Sequence, residues 1–203
     1  VDGWVISTPS IRRFNRGFIM REAVNKPLAL IWAKEFGFRI PRTIIANDID
    51  TAKEFCAENP AIYKPAAGGD LCRELMPKDL KKIKTPSLEQ PYIIQEKLVQ
   101  PEYRVFYIGG TCVSFRLDST VLDYREDGYT PTLSPVETPD HIKTTLGKLA
   151  DRLGLDYSAS DFKSCPHTGE PVFLEINSNP MFVAFDKAAE GRLTDVMLDW
   201  LMQ

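Results

Sequence analysis

The segment that most constrains the fold is an alternating run near the carboxyl end, from Val172 to Asn177. Apolar and polar side chains alternate there before an Asn-Ser-Asn-Pro sequence, which predicts a β-strand that stops at the proline. Side chains two positions apart on a strand share a face. Glu175 and Asn177 are therefore predicted to point the same way, and Leu174 and Ile176 are predicted to point into a core.

A second strand is predicted just upstream, at 158–164, and it contains Asp161. The connection between the two strands is rich in turn residues and suits a hairpin. With 166–170 as the loop, Asp161 lies directly opposite Glu175, and Asn177 follows on the same face. Opposed like charges destabilise a sheet unless a cation lies between them, and carboxylate and amide oxygens suit Mg²⁺. The alternative for so short a pattern is an edge hairpin with solvated acids.

The composition excludes several classes of protein. A chain of 203 residues with 43% hydrophobic and 26% charged residues is typical of one globular domain or two small ones. No apolar run approaches membrane-spanning length and no signal peptide is evident, so we expect a cytoplasmic protein without a membrane partner. The four cysteines lack metal-binding spacing and are expected to be thiols. The start at Val1 suggests a fragment of a longer protein.

The charge is unevenly distributed along the chain. Between residues 11 and 42 there are eight Lys and Arg residues and two Glu residues. Such a stretch favours an anionic partner, although a solvated basic face is an equally good interpretation. A pI of about 5.5 and the lack of aromatic residues interleaved with the basic ones argue against nucleic acid.

Apolar spacing and turn residues predict the other elements. Helices are predicted at 25–37, 51–58, 140–153 and 182–202, the last with an interruption at Gly191. Extended segments are predicted at 39–46, 61–64, 92–96, 103–108, 111–117 and 121–125, and a polar loop with Pro131 and Pro135 follows the last one. Gly109-Gly110 predicts a two-residue hairpin turn. This order implies an α+β fold whose two lobes meet across a cleft.

A glycine-containing loop follows the strand that ends at Lys64. Pro65 prevents further pairing of that strand, and Gly68 and Gly69 permit close approach of the backbone to a ligand. A lysine beside such a loop is typical of a phosphate cradle. The order is not that of a P-loop, so a plain lysine at the end of a strand is the alternative.

Six short motifs stand in one order along the chain: Lys26, Lys64-Pro65 with its glycine loop, Gln95-Glu96-Lys97-Leu98, Pro101-Glu102-Tyr103-Arg104, Asp161 and Glu175-x-Asn177. In this order, across roughly residues 25–203, they resemble the ATP-grasp superfamily. Within it, the chain resembles the RimK-like ligases, and runs around 117–125, 153–161 and 173–177 are similar to the graspetide (microviridin-type) peptide maturases. The resemblance implies an N-terminal segment or domain remnant at 1–24, a central lobe at 25–98 and a C-terminal lobe with the metal site at 99–203.

The resemblance also implies the functional residues. They are, for ATP, Lys26, Lys64, Gly68, Gly69, Gln95, Glu96, Lys97, Leu98 and Glu102; for one or two Mg²⁺ ions, with Mn²⁺ as a substitute, Asp161, Glu175 and Asn177; and for catalysis, Arg125, Arg104 and Arg116. The lysines and the glycine loop would contact phosphates, the backbone of the Glu96 to Leu98 hinge would contact adenine, and Glu102 would bind the ribose. Arg125 would bind the transferred phosphoryl group. Arg104 and Arg116, on opposite strand faces, are weaker candidates for that role or for binding a substrate carboxylate, with solvated surface charges as the alternative.

By the same resemblance, the chain is expected to be an ATP-dependent ligase. It would form an amide or ester bond from a substrate carboxylate through an acyl phosphate, release ADP and phosphate, and act on a peptide or amino-acid substrate. The alternatives are an ATP-grasp kinase and a non-catalytic nucleotide-binding fragment, and a homo-oligomer stays open. Two departures stand out: Ala159 where D-alanine–D-alanine ligases have an arginine, and Pro180-Met181-Phe182 where the maturases usually have a glycine and an aromatic residue.

Overall fold

The elements of the fold are taken from a computed structural model that describes residues 7–8, 10–15, 25–58, 60–66, 71–80, 87–122 and 130–203. Within these ranges the helices are α1 (Lys26–Glu35), α2 (Ile49–Glu58), α3 (Pro77–Leu80), α4 (Asp140–Leu153), α5 (Val183–Ala188) and α6 (Arg192–Leu201). The strands are β1 (Thr43–Asp48), β2 (Ala61–Pro65), β3 (Arg73–Leu75), β4 (Ser87–Glu96), β5 (Val99–Ile108), β6 (Thr111–Asp118), β7 (Thr132–Val136), β8 (Tyr157–Ser164) and β9 (Pro171–Asn177). The predicted α+β class is confirmed.

The smaller sheet is antiparallel with strand order β1-β4-β2-β3. One face is covered by α2 and α3, whose apolar residues pack with Ala61 and Ile94 of the sheet. The cross-strand pairs place Lys64 and Gln95 together on the other face. These two side chains therefore face away from the small core.

The larger sheet is also antiparallel, with strand order β7-β6-β5-β8-β9. Helices α1 and α4 pack on one face, where Leu30 and Leu146 bury the rings of Phe162 and Phe173. Helices α5 and α6 pack on the other face, around Phe106 and other buried apolar residues. The division into lobes at residue 98 stays a prediction, and in the structure α1 contributes its apolar face to the core of the larger sheet.

Several predicted element ends follow local chemistry. Asn25 accepts a hydrogen bond from the Leu28 N–H at the start of α1, and Asp48 accepts one from the Thr51 N–H at the start of α2. Gly109 and Gly110 form the β5–β6 turn with φ of 53° and 97°. Both values lie in the left-handed region that a tight two-residue hairpin turn requires.

The segment from 130 to 139 differs from its prediction. Residues 132–136 form β7, an edge strand paired with β6, where a polar loop was predicted. Pro135 misled the prediction, because an edge strand tolerates a residue that cannot donate a hydrogen bond on its outer side. Val121 and Leu122 form bends, so the strand predicted there is wrong for those two residues, and 123–125 lie outside the described residues.

A β-bulge interrupts the β8–β9 ladder beside the predicted metal residues. Asp161 pairs with Glu175 but Phe162 pairs with Phe173, so Leu174 is an extra residue on β9. A bulge shifts the alternation of side chains along a strand by one position. The alternation predicted that Leu174 joins Ile176 in a core, and this prediction is wrong for the main core. Leu174 packs instead with a small cluster formed by Leu98, Cys165 and Val172.

The structure bears on two expectations drawn from composition. All four cysteines are free thiols, as predicted. In the part of the chain that the structure describes, no helix combines the length and the apolar character needed to cross a membrane.

Candidate functional site

The two acidic residues of the predicted hairpin meet as expected. Asp161 lies directly opposite Glu175 in the β8–β9 ladder, and Ala159 lies opposite Asn177. Asp161, Glu175 and Asn177 therefore share one face of the larger sheet, which confirms the predicted register at this point. Asp161 is buried and Glu175 is partly exposed, so the pair lies at the edge of the protein interior.

Asp161 is held by an arginine from the neighbouring strand. Arg104 lies opposite it on β5, and the guanidinium donates to both carboxylate oxygens, Nε to Oδ1 and Nη2 to Oδ2, each at 2.7 Å. The two side chains are 12% and 8% exposed, so this is a largely buried bidentate pair. The arginine offsets the cost of burying the Asp161 charge.

Glu175 is held by two lysines from outside its sheet. Its Oε2 lies 3.4 Å from Lys64 Nζ, on the smaller sheet, and 3.6 Å from Lys26 Nζ, at the start of α1. The Lys64 side chain therefore reaches from the smaller sheet to the larger sheet. Asn177 follows on the same face, and its side-chain oxygen accepts a hydrogen bond from the Asn179 N–H at 3.0 Å. The arrangement brings together two predicted phosphate-binding lysines and two predicted metal ligands.

These oxygens fit a hard divalent cation that is only partly coordinated by protein. Two carboxylates and one amide supply oxygen donors, and Mg²⁺ in such sites keeps its remaining positions for water or phosphate. Each carboxylate oxygen has two lone pairs, so the Arg104 bonds leave acceptor capacity on Asp161. No group of three or more His, Cys, Asp or Glu side chains that could hold a metal occurs within the described residues. Mg²⁺ at such a site completes its coordination with water or with phosphate oxygens.

A second buried ion pair lies beside the first. Glu102 on β5 is 5% exposed, and its Oε2 lies 3.2 Å from Nζ of Lys163 on β8. Burial raises the pKa of Glu102 from 4.5 to about 7, and the Asp161 charge adds to that rise, while the ammonium of Lys163 and the guanidinium of Arg104 oppose it. Glu102 thus lies opposite Lys163, and Arg104 lies opposite Asp161. Each of these charges faces one of opposite sign across the β5–β8 ladder.

The predicted hinge connects the two sheets. The Lys97 N–H donates to the Pro60 carbonyl at 2.8 Å, and Leu98 is buried against Cys165, Val172 and the bulged Leu174. The loop from β4 to β5 is thus fixed to the smaller lobe at one residue and to the larger lobe at the next.

Two other hinge residues are fixed by β1 and by the residue that precedes it. Glu96 pairs with Arg42 in both directions: its N–H donates to the Arg42 carbonyl at 3.1 Å, and its Oε1 accepts from the Arg42 N–H at 3.2 Å. Gln95 is fully buried and its Nε2 donates to Thr43 Oγ1 at 3.0 Å. The Gln95 Oε1 atom has no hydrogen-bond partner among the described residues.

Some predicted site residues are not part of this group. Arg116 lies opposite Tyr103, on the other face of the larger sheet, and is half exposed in an ion pair with Asp118 at 2.9 Å. The structure therefore separates Arg116 from Asp161 and Glu175 by the thickness of the sheet. Gly68, Gly69 and Arg125 lie outside the described residues.

Two residues near the site were not singled out from the sequence. Lys163 is one of them, and its partnership with Glu102 could have been found by extending the predicted hairpin pairing to β5. Asn15 is the other: its Oδ1 accepts from the N–H groups of Asp156 and Tyr157 at 2.8 Å, and its Nδ2 donates to the carbonyls of Tyr157 and Ser178 at 2.9 and 2.8 Å. No sequence pattern indicates such long-range contacts.

Residues next to Asn15 continue this contact to the last helix. Phe14 stacks on Trp200 of α6 with 4.5 Å between the ring centroids, and the Arg12 guanidinium lies 4.1 Å from the Trp200 ring. Trp200 also lies against Gly109, where a Cβ would overlap the indole. This cluster, formed by Arg12, Phe14, Asn15 and Trp200, holds an N-terminal segment to the larger lobe beside the strand that carries Asn177.

Comparison with solved structures identifies the fold. The ATP-grasp ligase PsnB, solved with a minimal precursor, superposes with a TM-score of 0.74 at 29% identity over 87% of this chain. The chain has the ATP-grasp fold. The macrocyclase MdnC of Microcystis aeruginosa MRC, bound to precursor peptide MdnA, gives a TM-score of 0.76 at 23% identity over 90% of the chain. A RiPP-associated ATP-grasp ligase of Chryseobacterium gregarium, in complex with ADP and a leader and core peptide, gives 0.76 at 24% over 90%.

The chain matches only part of the length of each of these solved proteins. The chain spans 60% of the PsnB chain, 62% of the MdnC chain and 60% of the Chryseobacterium gregarium chain. No protein-family model and no curated protein sequence matches the chain. The predicted resemblance to ATP-grasp peptide maturases is confirmed.

Proposed function

We propose that the chain is the ATP-grasp part of an ATP-dependent ligase that activates a substrate carboxylate as an acyl phosphate. The observation that carries this proposal is the convergence of Lys26 and Lys64 on Glu175, opposite Asp161, on a face turned towards the other lobe. Cations and carboxylates placed together in this way suit a triphosphate with its metal ion. The proposed lobes are 25–98 and 99–203.

Different residues would bind different parts of the nucleotide. Lys26 and Lys64 would move from Glu175 to the phosphates, which carry more negative charge. Glu102 would accept hydrogen bonds from the ribose hydroxyls, and the hinge would contact adenine with the Leu98 and Leu174 side chains against it. Mg²⁺, when bound by Asp161, Glu175 and Asn177, would neutralise phosphate charge. Gly68 and Gly69 would cover the phosphates, and Arg125 would contact the transferred group.

The chemistry would proceed in two steps with this chain supplying position and charge. A carboxylate oxygen of the substrate attacks the γ-phosphorus, the bond to the β-phosphate oxygen breaks, and ADP leaves. An amine or hydroxyl then attacks the acyl carbon, and phosphate leaves with the bonding electrons. Preorganised cations stabilise the charge that develops on the phosphoryl oxygens. Water must be excluded from the acyl phosphate, which the closed cleft between the lobes would do.

A peptide is the substrate class that we propose. PsnB has been solved with precursor peptide PsnA2 and AMPPNP, and MdnC with precursor peptide MdnA. The PsnB matches lie between 28% and 29% identity across 87% to 89% of this chain. A D-Ala:D-Ser ligase of Enterococcus faecalis also has this fold, at 20% identity and a TM-score of 0.63. The higher identity to the peptide-bound PsnB structures therefore supports a peptide as the substrate class.

The proposal is tested by product analysis with ATP, Mg²⁺ and acidic candidate peptides. Release of ADP and phosphate, together with a peptide that has lost the mass of one water, is expected. Hydroxylamine added during turnover should trap the activated carboxylate as a hydroxamate. A phosphorylated product that is stable to hydroxylamine would identify a kinase instead. ATP binding without turnover, in a form of the protein that includes the flanking regions, would identify a non-catalytic nucleotide-binding module.

A further inference from the structure

We propose that Lys163 is a positioning residue that holds the ribose-binding carboxylate of Glu102 in place. This inference rests on the proposed function. Lys163 Nζ lies 3.2 Å from Glu102 Oε2 and donates a hydrogen bond to the Leu122 carbonyl at 2.8 Å. The Lys163 and Glu102 side chains are 14% and 7% exposed. One ammonium group thus joins a buried carboxylate of β5 to the backbone between β6 and β7.

The order of charges on the ladder requires a cation at this position. Glu102 and Arg104 follow each other on one face of β5, and they lie opposite Lys163 and Asp161 on β8. A neutral residue in place of Lys163 would leave the buried Glu102 carboxylate close to Asp161 without its cross-strand counter-charge. A buried charge without a partner is costly, so Glu102 would then move or take up a proton. Either change would remove it as an acceptor for two ribose hydroxyls.

The contact with Leu122 fixes the ammonium group itself. The Leu122 carbonyl lies between β6 and β7 and accepts the Lys163 hydrogen bond at 2.8 Å. A hydrogen bond from a largely buried ammonium to a carbonyl is stronger than one between neutral groups. Lys163 is therefore held by a second part of the chain while it pairs with Glu102. Both of these contacts are to the protein, which is why we assign Lys163 positioning and not catalysis.

The test compares how strongly the protein distinguishes ATP from 2′,3′-dideoxyATP, which lacks both ribose hydroxyls. Calorimetric Kd values for the Mg²⁺ complexes are measured for the unaltered chain and for Lys163→Met, Lys163→Arg and Lys143→Met. The unaltered chain should prefer ATP by about 10- to 100-fold, as hydrogen bonds to a charged group imply. Lys163→Met should reduce this preference to less than about threefold, and Lys163→Arg should restore most of it.

Lys143→Met is the matched control, because Lys143 is a surface lysine that pairs with Asp140 on the same lobe. It should leave the preference unchanged. If Lys163→Met does not fold, Lys163→Gln takes its place, since glutamine can still donate to the Leu122 carbonyl but carries no charge. It should also lose the preference for ATP.

A double-mutant cycle with Glu102→Gln completes the test. The effects of Lys163→Met and Glu102→Gln on the ATP preference should be far from additive, because both remove the same contact. Full retention of the preference in Lys163→Met, or additive effects, would overturn the inference while leaving the proposed function in place. Failure of the unaltered chain to bind ATP would overturn both.

Discussion

Asp161 and Glu175 face each other across the β8–β9 ladder, yet each carboxylate is paired with cations from a different part of the chain. Arg104 neutralises Asp161 from the next strand, and Lys26 and Lys64 approach Glu175 from α1 and from the smaller sheet. These cations offset the repulsion between the two carboxylates. Binding of a metal and a triphosphate would redistribute these pairs, since the phosphates offer the lysines a stronger partner.

Glu175→Gln should lower turnover by at least about 100-fold, because it removes a negative ligand from the proposed metal site. The fold should be retained, since both ion pairs of Glu175 are partly exposed and such pairs contribute at most about 1 kcal/mol. Release of ADP at saturating Mg²⁺ measures the first effect and urea unfolding the second. Glu170→Gln is the control, because Glu170 lies in the same hairpin but is exposed and pairs with Arg39. Equal turnover in the two variants would remove Glu175 from the metal site.

Lys64→Met should weaken the binding of Mg²⁺-ATP by about 10- to 100-fold, because one charge-assisted contact to phosphate is lost. The side chain of Lys64 is 13% exposed, so little solvent screens that contact. Lys53→Met, on α2 of the same lobe, removes an exposed lysine that pairs with Asp50 and should leave affinity unchanged. Calorimetric titration distinguishes the two. A comparable loss in both variants would mean that net charge, and not the position of Lys64, governs binding.

Arg104→Leu should destabilise the fold by about 3–5 kcal/mol, because it leaves Asp161 buried without its counter-charge. Arg116→Leu, one strand away and on the opposite face, should change the urea midpoint very little, since Arg116 is half exposed. The comparison uses two arginines that both pair with an aspartate and differ in burial. Similar midpoints for the two variants would contradict the buried pair between Arg104 and Asp161.

The free energy of unfolding should depend on pH through the ionisation of Glu102. Its pKa is raised by burial from 4.5 to about 7 in the folded protein, so between these values the folded state binds more protons than the unfolded state. The free energy of unfolding contributed by this group therefore falls as pH rises through that interval, by about 3 kcal/mol at 1.36 kcal/mol per pKa unit. Well above pH 7 the loss is complete, because Glu102 is then ionised in both states.

Glu102→Gln should remove that dependence. The free energy of unfolding of both proteins is measured with urea at intervals from pH 4.5 to 8. As the pH rises, the stability of the variant relative to the unaltered chain should increase. The absolute stability of the variant is not the readout, since glutamine also loses the pair with Lys163. Parallel pH profiles would show that Glu102 titrates normally in the folded protein.

The sequence predicted the elements whose determinants are local. Gly109-Gly110 marked a hairpin because few other residues accept positive φ at both turn positions. Asp161 and Glu175 could be paired from the length of one loop, and the prediction holds at 159–161 because the ladder there is regular. The resemblance to ATP-grasp ligases likewise depended on short motifs in order, and the structural comparison confirms it.

Features that depend on distant contacts could not be predicted. The bulge at Leu174 changes which residues of β9 face the hinge, and nothing in the alternation of that strand indicates it. The edge position of β7 was needed to recognise that Pro135 belongs to a strand. The roles of Lys163 and Asn15 arise from side-chain bonds to residues 41 to 163 positions away.

The fluorescence of Trp200 can report on the contacts of residues 12–15. Its indole is stacked on Phe14 and covered by Arg12, whereas Trp32 lies on α1 and is buried in the core. With Trp4 and Trp32 replaced by phenylalanine, the fluorescence of the protein would come from Trp200 alone. Its emission would then report whether residues 12–15 are docked, and so whether Asn15 still holds the Ser178 carbonyl next to Asn177.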